Sequence, residues 1–303
     1  YRHYLPLFPL AIEQFDFSTY DLIVSSSHCV AKGAKHSDST YHLSYIYTPM
    51  RYVWDQFGVY FRQPRTSWPV RIGAELMRPY LQRWDNQSAD RVDSFVSISH
   101  NVRRKVLKYY GRESQVVYPP VDLSYFSPRA QKENYYLMIG AFAPNKRVDL
   151  AVEAFNRLKL PLKIVGSGQD EEYCKKIAGD TIEFLGSLPD EELLKLYQNA
   201  RAFVFPGEDD FGITPLEAQA CHTPVIAFAA GGAMETITEN TGVFFGKQKV
   251  DELCDAVEKM ERIHQDFAPQ AFQRQTDRFG RERYKKEMAH AIEYGYRQWK
   301  GGV

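Results

Sequence analysis

The chain is short of most of the features that mark a specialised protein class. It has four cysteines in 303 residues, Cys29, Cys174, Cys221 and Cys254, and no two stand in C-x-x-C spacing. That excludes a cysteine zinc cage and a disulfide framework, and it points to a reducing compartment. No apolar run approaches the roughly 18–20 residues that span a bilayer, and the opening from Tyr1 lacks the clean apolar core and cleavage site of a signal peptide. The expected location is cytoplasmic, at most resting on the inner face of a membrane. Repeats and low-complexity tracts are absent. Net charge is absent too, with 38 basic residues against 38 acidic, which argues against a nucleic-acid partner.

What remains is a composition of 44% hydrophobic and 25% charged residues, normal for a folded enzyme. The length suits two domains of about 100–200 residues each. The balanced charge hides an asymmetry: up to Asp122, four Lys and eleven Arg face eight Asp and three Glu, so the first part is basic by four and the rest acidic by four. A mild surplus of this kind suits a face that meets anionic lipid or a phosphate-bearing acceptor.

From about Tyr135, short apolar runs alternate with amphipathic stretches, the pattern of a parallel sheet with crossover helices. Strands are expected at 135–140, 162–166, 182–186, 202–206, 224–228 and 242–245. Helices are expected at 147–158, 169–177, 190–199, 214–221, 234–239 and 250–263. The first part shows the same alternation more faintly, with strands at 21–26, 43–47 and 94–99, an extended 115–118, and helices at 68–84, interrupted at Pro79, and at 101–110. Pro119-Pro120 stiffens a connection near 122–134. The reading is an α/β protein with a Rossmann-like domain over 1–125, a second over 126–279, and a final helix, 280–303, packing back on the first domain.

The most informative stretch runs from Phe203 to Glu217. An apolar strand ends at Pro206, an acidic loop follows, and Pro215 sits where the first turn of a helix tolerates it. Asp209 in the loop and Glu217 in the helix are eight positions apart, and both can face the crevice at the carboxyl end of the sheet, where open α/β sheets bind ligands. A carboxylate accepts two hydroxyl hydrogen bonds, so Glu217 suits a ribose diol and Asp209 the hydroxyls of a sugar. Gly212 lets the backbone of Phe211 to Ile213 come close and offer amides at a helix start.

The run Glu208-Asp-Asp-Phe-Gly-Ile-Thr-Pro-Leu-Glu217, continuing to Pro224-Val-Ile and then Gly231-Gly-Ala-Met-Glu-Thr-Ile, resembles the acidic E-x7-E region of glycosyltransferase family 4. Three further stretches resemble its mannosyltransferase-like branch of bacterial O-antigen and capsular polysaccharide synthesis: Tyr20 to Gly33, Thr48-Pro-Met-Arg-Tyr-Val-Trp-Asp55, and Val117-Tyr-Pro-Pro-Val-Asp122. The resemblance implies the GT-B fold, two facing Rossmann-like domains with the donor cleft between them. It implies a retaining transfer from a nucleotide-diphosphate sugar, GDP-mannose, to a lipid-linked or growing oligosaccharide, with no cofactor and no metal. By position it gives Glu217 to the nucleotide ribose and Asp209 to the donor sugar, while Phe211, Gly212 and Ile213 contact sugar and phosphate. Lys146, with Arg147 beside it, neutralises the diphosphate.

The chain departs from that pattern in four places. Asp209 replaces the first Glu, Ala141 replaces a second phosphate-binding Arg, and Tyr47 replaces a His before Thr-Pro-Met-Arg-Tyr. Tyr47 can hydrogen-bond a sugar hydroxyl, but a phenol of pKa near 10 is a poor base; His28 and His100 are the other imidazoles of interest in the first domain. The resemblance also leaves the first domain without its opening strands. Gly166-Ser-Gly168 reads either as a phosphate loop or as a tight turn, and Gly232 as a similar backbone contact. Arg62, Arg65, Arg71, Arg78 and Arg83, interleaved with Trp68, Met77, Tyr80 and Trp84, read either as a membrane-facing patch over 62–84 or as a solvated basic face. Two rival functions stay open: a sugar-nucleotide epimerase or hydrolase on the same fold, and a non-catalytic sugar-nucleotide-binding subunit.

Overall fold

A computed structural model describes residues 2–62, 66–129 and 132–301. The chain divides into two compact units, Tyr1–Tyr118 with Tyr284–Val303, and Pro119–Arg283.

The first unit is built on four parallel strands, β1 (Leu22–Ser27), β2 (Tyr41–Ile46), β3 (Ser94–Ser97) and β4 (Ser114–Val116), lying in that order across the sheet. Every residue of β2 is buried, whereas β1, at an edge, alternates between exposed and buried positions. This is what a central and an edge strand of a parallel sheet should show. The part of the long helix Arg281–Gly301 that belongs to this unit covers one face of the sheet. Tyr296 and Trp299 pack against Tyr41, each with ring centroids 5.9 Å away, and Tyr284 packs against Tyr45. A Cβ at Gly295 would run into the Tyr41 hydroxyl, so a larger residue there would push the Tyr41 ring from its place. The helix Trp68–Gln87 buries Leu81 against Met50 and Val53. It passes through Pro79 without a break, contrary to the interruption expected there. The packing of Leu81, Trp84 and Asp85 beyond it outweighs the roughly 3 kcal/mol that a mid-helix proline costs. Beneath it Lys32 and Asp85, 1% and 0% exposed, form an ion pair at 3.1 Å. Lys32 Nζ also donates to the Ser88 hydroxyl at 2.6 Å, and Asp85 accepts from Trp54 Nε1 at 2.7 Å and Tyr110 Oη at 2.8 Å.

The second unit holds six parallel strands: β5 (Tyr136–Ile139), β6 (Leu162–Val165), β7 (Ile182–Gly186), β8 (Ala202–Phe205), β9 (Val225–Phe228) and β10 (Gly242–Phe245). Their order is β10-β9-β8-β5-β6-β7, the doubly wound order of a Rossmann sheet. Residues alternate between two cores. Tyr136, Met138, Ile164, Val204, Ile226 and Val243 face one, and Leu137, Val165, Phe203, Phe205, Val225 and Ala227 face the other. Helices on both faces make the central strands apolar throughout, so β5, β8 and β9 read as continuous runs, while β6 and the edge strand β7 carry Lys163 and Glu183. The short helices Phe8–Ile12 and Phe57–Phe61 and the helix Pro269–Thr276 were not legible in the sequence. Among the described residues no helix is long and apolar enough to cross a membrane.

Removing one member of the Lys32–Asp85 pair leaves the other charge buried without its counter-ion. Asp85→Ala should therefore destabilise the chain by roughly 3–5 kcal/mol, while the paired change Lys32→Met with Asp85→Leu should recover most of that loss. Urea denaturation of the three proteins measures both effects.

Candidate functional site

In a doubly wound sheet the ligand crevice opens where the strand order reverses, here between β5 and β8. The two strands pair over only two residues, Tyr136 with Ala202 and Leu137 with Phe203, so their carboxyl ends are free to diverge. The loops that follow them carry Lys146 and Asp209, and the side chains meet: Lys146 Nζ contacts Asp209 Oδ2 as a hydrogen-bonded ion pair. Asn145, which the sequence did not single out, donates to the other oxygen of the same carboxylate at 3.2 Å. Its carbonyl accepts from the Glu208 amide at 3.1 Å. Gly207 permits this approach, since a Cβ there would lie 2.7 Å from Lys146 Cα and closer still to the Asn145 carbonyl. Asp209 is thus fixed by a cation and an amide, with its side chain 12% exposed.

The acidic loop is held from its other side by Gly231 and Gly232. The Gly232 amide donates to the Asp209 carbonyl at 2.8 Å, and a Cβ on either glycine would collide with the backbone of Asp209 or Phe211. Gly232 therefore shapes the loop, and its amide is engaged by the Asp209 carbonyl. Gly166 is similar: its amide donates to the Gly186 carbonyl at 2.7 Å, and its Cα packs on Gly140. Of its two readings, the tight turn fits this geometry. Phe211 is buried, with its ring 5.7 Å from that of Phe279, so only its backbone can serve a ligand. Gly212, at φ 90°, precedes the helix Ile213–Ala220, which has no side-chain cap. The first-turn amides of a helix lack intrahelical partners and favour an anion. Arg147 turns away to its own helix, bonding Asp149 at 3.1 Å.

Glu217 lies one turn into that helix and accepts a hydrogen bond from Tyr197 Oη at 2.7 Å. Burial pushes its carboxyl above the ordinary carboxylate range; the Tyr197 bond pulls back and Asp190 pushes further up. Lys132 ties the carboxyl ends of the two helices bearing these residues. It donates to the Gln198 carbonyl at 2.8 Å, the Cys221 carbonyl at 3.0 Å and the Thr223 hydroxyl at 2.6 Å. Burial lowers its pKa to about 8, so it remains mostly charged at neutral pH. Neither Tyr197 nor Lys132 carries a sequence signal, because each acts through a partner distant along the chain.

The remaining candidate, Tyr47, lies in the first unit just beyond β2. Its hydroxyl accepts from Ser26 Oγ at 2.7 Å. Ser27 pairs with Ile46, so His28 and Tyr47 follow on adjacent strand ends. Burial, and secondarily the charge of Arg51, lowers the His28 pKa, which keeps that imidazole neutral at pH 7. Of the basic and aromatic stretch 62–84, Arg65 lies outside the described residues. Arg78 donates inward to the Val53 carbonyl, Trp84 to Glu13, and Arg62 pairs with Glu75. Trp68, Ile72, Leu76 and Tyr80 are exposed, Trp68 at 73% and Leu76 at 74%.

The sequence pattern of the family described as glycosyl transferases group 1 matches residues 124–278. The O-antigen chain mannosyltransferase RfbU of Salmonella typhimurium is 28% identical over 200 residues, covering 62% of this chain and 56% of that one. A D-inositol 3-phosphate glycosyltransferase of Mycobacteroides abscessus is 30% identical over 210 residues, covering 61% and 46%. The chain thus spans about half the length of these relatives. Among solved structures, Anabaena Alr3699/HepE in complex with UDP and glucose superposes with a TM-score of 0.64 at 16% identity, over 83% of this chain and 77% of that one. With the two parallel α/β units, this likeness identifies the GT-B fold.

A carboxyl raised in the folded state holds its proton after the unfolded chain has lost it. Ionised Glu217 therefore costs stability, and the cost grows as pH rises from 4.5 through the folded pKa. Glu217→Gln should raise the melting temperature at pH 7, on a scale of roughly 2–4 °C per kcal/mol, with the gap closing towards pH 4.5. Calorimetry across that range tests the sign.

Proposed function

Because the chain belongs to the glycosyl transferases of group 1, we propose that it moves a sugar from a nucleoside diphosphate to a hydroxyl acceptor with retention of configuration. The donor in this reading is GDP-mannose and the acceptor a lipid-linked or growing oligosaccharide. The observation that carries it is the meeting of Lys146 and Asp209 at the switch point of the sheet, with Glu217 on the helix that follows. Mannose is favoured by the name of the Salmonella relative, whereas the UDP-bound Anabaena protein and the inositol-phosphate enzyme keep other donors and acceptors in the test.

In this reaction the bond between the anomeric carbon and the diphosphate oxygen breaks and a bond to the acceptor oxygen forms. The acceptor proton leaves on the departing diphosphate, so Tyr47 need not be a base and serves as a hydrogen-bonding group. Negative charge develops on the leaving oxygens, and Lys146 stands at the carboxyl end of β5 to meet it. A fixed cation of this kind is worth most where charge appears only in the transition state. Asp209 takes sugar hydroxyls and offsets positive charge developing at the anomeric carbon. Glu217, half-buried and steadied by Tyr197, takes the ribose diol.

Lys146→Ala should lower kcat by about 100–1,000-fold. Glu217→Ala should act mainly on donor binding, by roughly 1.5–3 kcal/mol. Transfer assays with GDP-, UDP- and ADP-sugars measure both, and unchanged rates in the two variants would refute the site. Release of free sugar without acceptor would instead select the hydrolase reading, and nucleotide binding without turnover the binding subunit.

The acceptor reading extends to an anionic lipid surface. Trp68, Ile72, Leu76 and Tyr80 recur every four residues, so they form one exposed stripe along the helix Trp68–Gln87, and Arg71 and Arg83 are exposed on the same helix. Apolar side chains with arginines beside them suit a negatively charged interface. Vesicles containing anionic phospholipid should sediment the protein, Trp68→Ala with Leu76→Ser should cut binding at least tenfold, and neutral vesicles should bind it weakly. Equal binding of the variant and the parent would remove this surface from the proposal.

A further inference from the structure

The first unit has a concave feature at the amino ends of its strands, the opposite end of the sheet from Tyr47 and His28. A hollow of about 450 Å³ lies between the starts of β2, β3 and β4 and the last turns of the helix Arg281–Gly301. It is lined by Tyr294, Trp299, Gln298, Asp93, Glu113 and Gln115. Beyond Asp93 and Trp299, which both hollows share, lies a second of about 420 Å³. Volumes of this size fall within the range of small-molecule sites, about 300–1,000 Å³.

The chemistry of the lining selects the ligand. Tyr294 is 57% exposed and, among the described residues, stacks on His290 along its own helix, so its ring stands largely outside the core. Trp299 shows part of its indole while packing against Tyr41 and Tyr296. Flat aromatic faces beside carboxylates and side-chain amides match a pyranose, which has C–H faces and a rim of hydroxyls that both donate and accept. Anions fit poorly. The first hollow brings Asp93 and Glu113, the latter paired with Arg103 at 3.0 Å, and the second adds Asp38 and Asp90. The cations of the second hollow, Lys35 and Arg91, are both engaged by Glu13, at 3.0 and 2.7 Å. An added peptide strand fits poorly as well, because β4 at the sheet edge is only three residues long.

We propose that this pair of hollows is a carbohydrate-binding groove, separate from the reaction site, that holds a neutral oligosaccharide across Trp299 with Tyr294 as its outer platform. Two adjoining hollows call for an elongated ligand rather than a single sugar. The inference extends the glycosyltransferase reading, in which a growing chain is the acceptor, but the binding itself needs no transfer.

Saturation-transfer NMR on the full chain with mannotriose, maltotriose and cellotriose at millimolar concentration tests it, with GDP and UDP titrated in parallel. At least one trisaccharide should receive saturation, and Tyr294→Ala or Gln298→Ala should weaken it at least fivefold while nucleotide binding and melting temperature stay unchanged. Both side chains are exposed, so neither variant should unfold the protein. Absence of signal from all three sugars, or a signal undiminished in both variants, overturns the groove. Sugar binding that survives in a chain without transfer or nucleotide binding would leave the groove standing and sink the glycosyltransferase reading instead.

Discussion

The second unit depends on one close approach, that of two backbones at the switch point of its sheet. β5 and β8 separate after two residue pairs, and the loops leaving them meet again only because residue 207 has no Cβ. The Asn145 carbonyl then takes the Glu208 amide, and Lys146 is brought onto Asp209. A larger residue at 207 would part the loops and separate a charge pair whose members are 63 positions apart. The glycines 231 and 232 impose the same limit from β9. The acidic loop is clamped between two backbones before any side chain contributes.

This constraint explains why the carboxylates differ in behaviour though they lie eight residues apart. Asp209 sits in a loop that supplies it with a cation and an amide. Glu217 sits on a helix, half-buried, with a phenol as its hydrogen-bond partner and Asp190 adding to the upward pressure on its pKa. The first is held in place by Lys146 and Asn145. The second carries a desolvation cost that its one hydrogen bond, from Tyr197, only partly offsets.

How far the sequence revealed this follows from where the information lay. The strands of the second unit were readable because both faces of that sheet are covered, which favours apolar runs such as Ala202–Phe205, closed by Pro206-Gly207. The meeting of Lys146 with Asp209 was anticipated as a candidate site because these residues, like Glu217, stand in short stretches that also carry a family resemblance. Asn145, Tyr197 and Lys132 were not, since each matters through a hydrogen bond to a residue 20 to 91 positions away and has an ordinary local context. Gly166 and Gly232 were ambiguous for a related reason. A glycine after a strand looks the same whether it admits a phosphate or another loop, and here the other loop is what lies against it. Pro79 misled because local propensity was outweighed by packing further along the same helix.

The first unit obeys a different logic, in which buried charge takes the place that backbone contact holds in the second. Lys32 and Asp85 are enclosed by Trp84, Tyr110 and Trp54, and together they join the segment after β1 to the helix Trp68–Gln87. A pair this deeply buried contributes little net stability compared with an apolar replacement. Its effect is on geometry, since the ammonium must find both the carboxylate and the Ser88 hydroxyl, and only one placement of the segment 28–33 satisfies both. The same segment begins at His28 and adjoins Tyr47 across the strand ends, so the register of the charge pair also sets where those two side chains stand. The strand ends that carry His28 and Tyr47 are thus placed by the interior beneath them rather than by their own contacts.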